Sequence, residues 1–205
     1  MKKILTAMVL TILFSQCASI YHSIDPPTIE YPFEQDDNQD LSFSYQYDVL
    51  AKRGNKKYSK KEKKHGFSIV SVRVKNNTDR ELSFARDIDL LVQRGVVHPV
   101  ENEFTAHTIR QKIGFFLFYS LLYYSETDCN NKTGCKTTVF IPFGLAIAAG
   151  NMIVGGSSND KMKKEFNDYS LYTKTIAPGQ TVYGIVALRD LGYQPLKLKV
   201  RNSDN

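Results

Sequence analysis

Hydrophobic and polar residues alternate over several short stretches of the chain, which is the pattern of half-buried β-strands. In the first of these, residues 41–49, apolar and aromatic side chains occupy every second position. Further β-rich stretches, separated by turn-forming residues, follow at 67–74, 81–85, 87–93, 182–188 and 196–200. Short strands at this spacing predict a mainly-β domain, an antiparallel β-sandwich, over residues 41–201.

The alternation stops between residues 103 and 170, where we expect an apolar helical insert. Residues 108–124 carry large hydrophobic side chains at helical spacing. Residues 139–156 are uncharged throughout. Residues 157–169 form an amphipathic helix candidate in which Met162, Phe166 and Tyr169 share one stripe, with Ser157 or Ser158 as its N-cap.

Three placements of this insert are open from the sequence. It packs on the sandwich and completes its core, it docks an integral outer-membrane protein, or it dips into the bilayer as a hairpin. The docking placement is based on the observation that large apolar patches mark interaction sites. The residues expected to dock a partner are Ile113, Phe115, Phe116, Leu117, Leu121, Tyr124, Phe140, Phe143 and Ile147.

Residues 1–16 have the organisation of a signal peptide. Lys2 and Lys3 precede an apolar core at residues 4–14, which is too short to span a bilayer because spanning needs about 20 residues. The core ends in Phe14-Ser15-Gln16-Cys17. This resembles the lipobox of bacterial lipoproteins, although Phe14 and Gln16 depart from its commonest residues. An ordinary secretory signal with an incidental cysteine is the alternative.

The lipobox resemblance implies that the peptide before Cys17 is removed and that Cys17 carries diacylglycerol and an amide-linked acyl chain such as palmitate. Lipid chains of this number anchor a protein stably. Ala18 and Ser19 lack an acidic retention signal, so the resemblance favours the outer membrane. Residues 17–40, which contain three prolines and an acidic cluster, are expected to form a lipidated tether, and residues 202–205 a short tail.

Two phrases resemble bacterial immunoglobulin-like extracellular modules. The first, Val72 to Leu82, reads as a strand running into an Asn-rich turn, and the second, Thr175 to Gly184, as a Pro-Gly turn before a closing hairpin. The chain is therefore similar to uncharacterised Bacteroidota envelope lipoproteins with an immunoglobulin-like sandwich. This resemblance implies a fold and a location but no activity.

The two cysteines that follow Cys17 are expected to form a disulfide. Cys129 and Cys135 bracket a polar, turn-forming insert, and an even cysteine number in an exported chain favours pairing. A metal pair is the alternative, but no histidine lies nearby in the sequence.

The net charge of +6 comes from one segment, residues 52–64, without which the mature chain is slightly acidic. We expect this segment to be a loop, which is either a solvated hairpin or a contact for anionic lipid or glycan. An exported protein makes nucleic acid an improbable partner. The contact residues would be Lys52, Arg53, Lys56, Lys57, Lys60, Lys61, Lys63 and Lys64.

The sequence favours no catalytic, metal or cofactor site. His98, Glu101 and His107 would be the pieces of a metal site, but they lie in a turn-prone stretch without a metal motif. Asp87 and Asp89 would face one side of a strand, as paired acid/base carboxylates do, although exposed edge-strand carboxylates are far commoner.

Taken together, these features predict a non-catalytic envelope lipoprotein that serves as an accessory or assembly subunit of an outer-membrane protein complex. A stand-alone module that binds anionic glycan or lipid through residues 52–64 is the first alternative. An envelope hydrolase with an unrecognised site is the second.

Overall fold

The computed structural model of the chain describes residues 17–35, 39–93, 95–130, 134–189 and 192–201. Of these residues 36% are helical and 33% lie in strands, so the expected antiparallel strands and helical segment are present, but the chain is mixed and not mainly β. The chain forms two compact units. The insert unit comprises the described residues up to Ile20 together with Gln111–Asn159, and the body unit comprises those of Tyr21–Arg110 and Asp160–Asn205.

Strands and helices alternate irregularly along the chain. The strands are β1 Phe33–Glu34, β2 Leu41–Gln46, β3 Phe67–Asn76, β4 Leu82–Ser83, β5 Ile88–Val92, β6 Gly95–Val96, β7 Tyr124–Asn130, β8 Gly134–Ile141, β9 Thr175–Ile176, β10 Thr181–Arg189 and β11 Lys197–Val200. The α-helices are Val49–Lys52, Lys56–Lys64, Phe84–Asp87, Asn102–Ile109 and Phe143–Asp168, and 3-10 helices lie at Pro26–Thr28 and Ile113–Leu121.

The body unit is built on a four-stranded antiparallel sheet in the order β1-β2-β3-β10. Its central strand β3 pairs with β10 from Phe67↔Arg189 to Lys75↔Thr181. Two further antiparallel sheets of the same unit have the orders β11-β5-β6 and β4-β9. Because both faces of β3 are covered, most of its residues are buried, and its apolar side chains are divided between the two faces.

One face of the four-stranded sheet packs against the β11-β5-β6 sheet. Phe43 and Val72 from the first sheet share a buried core with Leu90 and Leu198 from the second. The opposite face packs on helices, where Ile69 and Ile185 contact a cluster that includes Tyr58, Ile109, Met162 and Phe166. The expected stripe of Met162 and Phe166 is therefore confirmed, with Tyr169 packed at its edge.

The segment expected to be a tether is, from Tyr21 to Glu34, part of the body unit. Ile24 is completely buried, and Phe33 and Glu34 pair with β2. The Glu165 carboxylate holds this segment: it accepts hydrogen bonds from the Tyr21 hydroxyl at 2.5 Å, the Ser23 hydroxyl, and the Ile24 and Asp25 backbone N–H groups at 3.1 and 2.8 Å. Asp36 and Asp37 of the acidic cluster lie outside the described residues.

The basic segment is helical, not a loop. We call Lys56–Lys64 the basic helix. Lysine and glutamate are good helix formers, and Tyr58, Ser59 and Glu62 are buried on its inner face. The preceding strand ends at Gln46 because Asp48 takes a left-handed conformation (φ 57°) and begins the helix Val49–Lys52.

Two further expectations of local structure are corrected. The stretch 81–93 is interrupted by the short helix Phe84–Asp87 between β4 and β5. Ser157 and Ser158 do not cap a helix, because Phe143–Asp168 is one continuous helix and both serines lie inside it. Of the helices in the described part of the chain, none combines the length and the apolarity that crossing a membrane requires.

Candidate docking surface and lipid-attachment site

The core of the insert unit is formed by a 3-10 helix, Ile113–Leu121, where the sequence predicted an α-helix. A 3-10 helix has three residues per turn, so side chains three apart share a face. Phe116 and Tyr119 are each 7% exposed and stack with ring centroids 6.3 Å apart. Leu122 continues this inward row.

The neighbouring row of the same 3-10 helix points away from that core. Phe115, Phe118 and Leu121 are 62%, 68% and 71% exposed. The Phe115 and Phe118 rings contact each other at 6.3 Å between centroids. Three large apolar side chains are therefore presented side by side without cover from the described residues.

A face of small residues on the helix Phe143–Asp168 packs against the inward row. A Cβ atom at Gly144 would lie 1.9 Å from the Tyr119 carbonyl oxygen, so only glycine fits there. The Gly144 N–H donates to the Leu122 carbonyl at 2.9 Å. Ala148 is buried in the same cluster, and Gly155 faces Ile113 and Phe116.

The hairpin β7–β8 and the outer face of the helix Phe143–Asp168 add more exposed apolar side chains. Tyr123 contacts Phe140 at 5.3 Å between ring centroids, and Tyr124 pairs with Ile141 across the hairpin. We define the apolar surface as the insert-unit side chains Phe115, Leu117, Phe118, Leu121, Tyr123, Tyr124, Phe140, Ile141, Phe143, Leu145 and Ile153, each at least 40% exposed.

Most of the residues expected to dock a partner are exposed, but two of them are buried or partly buried. Phe115, Leu117, Leu121, Tyr124, Phe140 and Phe143 belong to the apolar surface, and Ile113 is 37% exposed at its edge. Phe116 is buried, and Ile147 is partly buried against it, so these two support the unit instead of facing outward.

Sequence reasoning missed Phe118, Tyr123, Ile141, Leu145 and Ile153 as docking residues. For Phe118 a signal was present: a period of three aligns Phe115, Phe118 and Leu121, whereas the helical period of 3.6 selects a different set. Phe118 is 68% exposed, so the residue that was missed is among the most exposed side chains of the apolar surface.

The residues that follow Cys17 are fixed within the insert unit. The Ala18 N–H donates to Asn151 Oδ1 at 2.5 Å and the Ser19 N–H to Gln111 Oε1 at 2.8 Å. Ala18 also packs against the Phe116 cluster. Burial and the neighbouring Cys17 raise the pKa of Tyr119. The expected lipid-attachment residue therefore lies beside the small core that supports the apolar surface.

The expected disulfide is confirmed by the geometry of the hairpin. Cys129 and Cys135 are directly paired across β7 and β8, with sulfur atoms 2.04 Å apart. The bond closes the tip of a hairpin in which every residue of β7 is exposed. It therefore restrains a strand pair whose described side chains are exposed, apart from the half-buried Val139.

The basic residues are divided between solvent and internal contacts. Lys52, Lys56, Lys60, Lys63 and Lys64 are exposed. The other three, Arg53, Lys57 and Lys61, are half-buried; Arg53 Nε donates to the Ile24 carbonyl at 2.9 Å, and Lys61 donates to the Arg110 carbonyl.

The candidate catalytic carboxylates do not form a pair. Asp87 accepts a hydrogen bond from Arg86 at 3.1 Å and Asp89 one from Arg201 at 2.5 Å. These arginines lower the pKa of each carboxyl, which opposes a role as general acid.

His98, Glu101 and His107 are not brought together either. Within the described ranges no group of three or more histidine, cysteine, aspartate or glutamate side chains has the arrangement of a metal site. Glu103, which lies between the two histidines, pairs instead with Lys163 at 2.7 Å.

No family model matches the chain, and no curated protein or solved structure is similar to it.

Proposed function

We propose that this chain is a bacterial envelope lipoprotein, anchored through acylated Cys17, whose insert unit docks a membrane-embedded protein of the outer membrane. In this proposal the chain is a non-catalytic accessory or assembly subunit. The observation that carries the proposal is the apolar surface, which lies on the same compact unit as the residues that follow Cys17.

The exposed apolar area favours a partner that covers it. Soluble monomers rarely leave many large apolar side chains uncovered on one region, because their contact with water costs about 25 cal/mol for each Å². Phe118, Leu121 and Ile153 are each about 70% exposed. A lipid anchor in the same unit would hold this surface near the membrane, where partners with matching apolar surfaces are found.

The charges beside the apolar surface favour protein over lipid as its cover. Glu126, Asp128 and Lys136 are exposed on the hairpin that also carries Tyr124, Phe140 and Ile141. Charged side chains are costly within a bilayer but are common at the rims of protein interfaces. The mixture of aromatic side chains and flanking charges is therefore that of an interface with a polar rim.

Co-purification from cells tests this proposal. A tagged full-length chain, expressed at its natural level and extracted in mild detergent, should recover one membrane protein in stoichiometric amount. The double substitution Leu117→Glu and Phe118→Glu should reduce this recovery at least about tenfold, because it places charges on the interface. Phe104→Glu is the matched control, since Phe104 is an exposed phenylalanine of the body unit.

Two results would contradict the proposal. One is a chain that is recovered without a partner. The other is recovery that the Leu117 and Phe118 substitutions leave unchanged. Labelling with a radioactive fatty acid tests the anchor separately: wild type should incorporate the label and Cys17→Ser should not.

A second candidate function is contact with an anionic surface through the basic helix. Lys56, Lys60, Lys63 and Lys64 recur at helical spacing and are all exposed, while the buried residues lie on the other face. Replacing the four lysines with glutamine should weaken binding to vesicles that contain anionic phospholipid and leave binding to neutral vesicles unchanged. Equal binding of both proteins to anionic vesicles would exclude this role.

We also propose that the two facing sheets of the body unit are a modified immunoglobulin-like sandwich. Its support is the shared core between β2-β3-β10 and β5-β11. The helices on the second face of the larger sheet are a departure from that fold.

A further inference from the structure

A cavity of about 390 Å³ opens on the body unit beside the basic helix. Its walls come from the turn before the helix Val49–Lys52, the end of the basic helix, the start of β3 and the residues that follow 191. The side chains that matter for binding are two carboxylates, two tyrosines and one lysine: Asp48, Glu62, Tyr47, Tyr193 and Lys63. The volume is in the range of small-molecule sites.

The Glu62 carboxylate in this wall is only half satisfied. The Glu62 residue as a whole is 3% exposed. Oε1 accepts a hydrogen bond from the Ile69 backbone N–H at 2.7 Å, but Oε2 has no partner among the described residues. A buried acceptor without a donor is costly, and more so when it is ionised.

The remaining wall is suited to a positive charge. The Tyr193 hydroxyl donates to Asp48 Oδ1 at 2.8 Å, which holds that carboxylate at the cavity. The rings of Tyr47 and Tyr193 lie 5.4 Å apart at 82° to each other. Lys63 Nζ is 4.0 Å from Asp48 and its side chain is 63% exposed, so it can turn into solvent when another cation enters.

We propose that this cavity binds a small organic ammonium group, which donates to Glu62 Oε2 and to the Asp48 carboxylate and lies against the tyrosine rings. An ammonium offers several N–H donors and a positive charge, whereas a neutral hydroxyl offers one donor and no charge. Aromatic rings attract cations through their faces. An anionic ligand would be repelled by both carboxylates.

The state of Glu62 agrees with this site. Burial and, to a smaller extent, Asp48 raise the pKa of Glu62 to about 7, against the opposing influence of the Ile69 N–H and Lys63. A bound ammonium would favour the ionised carboxylate and lower this pKa. Binding of an organic cation near neutral pH is therefore coupled to the release of a proton from Glu62.

Titration calorimetry of the full chain in mild detergent tests the proposal. The ammonium probes are 1,4-diaminobutane, ethanolamine and choline, and the neutral counterpart of the first is 1,4-butanediol. At pH 8 at least one ammonium probe should bind, and the diol should not. Glu62→Gln should weaken that binding at least about tenfold, while it retains an oxygen acceptor for the Ile69 N–H.

The control variant is Glu103→Gln, which removes a carboxylate from the same unit outside the cavity and should bind like wild type. The proposal is overturned if none of the three ammonium probes binds, if the diol binds as well as the diamine, or if Glu62→Gln binds with unchanged affinity.

The pH dependence provides an independent readout. Affinity should fall about tenfold from pH 8 to pH 6, because the ionised fraction of Glu62 falls in that ratio around a pKa of about 7. The other titratable groups in the wall are Asp48, Lys63, Tyr47 and Tyr193. Burial raises the pKa of Tyr47, and the hydrogen bond to Asp48 raises that of Tyr193, so both rings stay neutral. An affinity that is constant between pH 6 and pH 8 would overturn the proposal.

Discussion

The two units of this protein contain similar kinds of apolar residues but differ in how many of them are buried. In the body unit, large side chains such as Tyr58, Phe166 and Leu41 are fully buried in two cores on either face of one sheet. Among the described residues of the insert unit, only Phe116, Tyr119 and Ala148 are buried apolar side chains. The body unit therefore buries most of its large apolar side chains, whereas the insert unit has one small core and leaves most of its described large apolar side chains exposed.

Because of this difference, we expect residues of the body unit to determine folding stability and residues of the apolar surface to determine binding. A residue of the body unit contributes to folding because its burial removes apolar area from water. A residue of the apolar surface contributes little to folding, since it is exposed before and after the chain folds. Substitutions that affect one property should therefore leave the other nearly unchanged, and the predictions that follow test this separation.

The largest expected effect is on a matched pair of phenylalanines. Phe166→Ala should lower the free energy of unfolding by about 4 kcal/mol, because it empties a fully buried site. Phe118→Ala should change it by less than about 0.5 kcal/mol, since Phe118 is 68% exposed. Chemical denaturation monitored by circular dichroism measures both. Similar losses for the two variants would contradict the division between the units.

The second effect concerns Glu62 and depends on pH. Its pKa is raised from 4.5 to about 7 in the folded protein. The proton that it retains therefore stabilises the fold fully below about pH 4.5, and this stability is lost as pH rises through 7. The loss amounts to about 3 kcal/mol. The Glu62→Gln variant has no carboxyl group to ionise and should not show this loss, so it should be more stable than wild type at pH 8.

Denaturation of wild type and Glu62→Gln at pH 5 and pH 8 checks this prediction. The two proteins should differ far more at pH 8 than at pH 5. A stability difference that is the same at both pH values would mean that Glu62 is already ionised throughout this range.

A smaller effect is expected at Glu165, whose carboxylate is satisfied on both oxygens. Glu165→Gln should lower the free energy of unfolding by about 2 kcal/mol, because the amide NH₂ that replaces one oxygen would face the backbone N–H of either Ile24 or Asp25. Amide hydrogen exchange should then accelerate between Tyr21 and Asp25. Glu103→Gln, at an exposed ion pair, should cost less than about 1 kcal/mol. Equal effects of the two substitutions would mean that Glu165 does not hold this segment.

Local patterns predicted the regular strands of the body unit. β3 and β10 coincide with stretches rich in β-forming residues, and in β11 Leu198 and Val200 are buried where the alternation placed them. The disulfide was predicted equally well, because the two cysteines bracket a turn and pair across one hairpin.

Elements that depend on distant or atypical features were not predicted. The basic helix has a single aromatic residue, Tyr58, so no apolar stripe identified it. The segment from Tyr21 to Asp25 is held by Glu165, a residue more than a hundred positions away, which no local pattern reveals. The 3-10 helix was misread because its period is three.

The most direct test of the central claim is photo-crosslinking in living cells. A photoreactive amino acid would replace Phe118 in the apolar surface or, as the matched control, Phe104, which is 51% exposed in the body unit. The account predicts that position 118 crosslinks to one membrane protein in high yield and that position 104 does not. Crosslinking from position 118 to lipid alone, or the same partner from both positions, would contradict docking through the apolar surface.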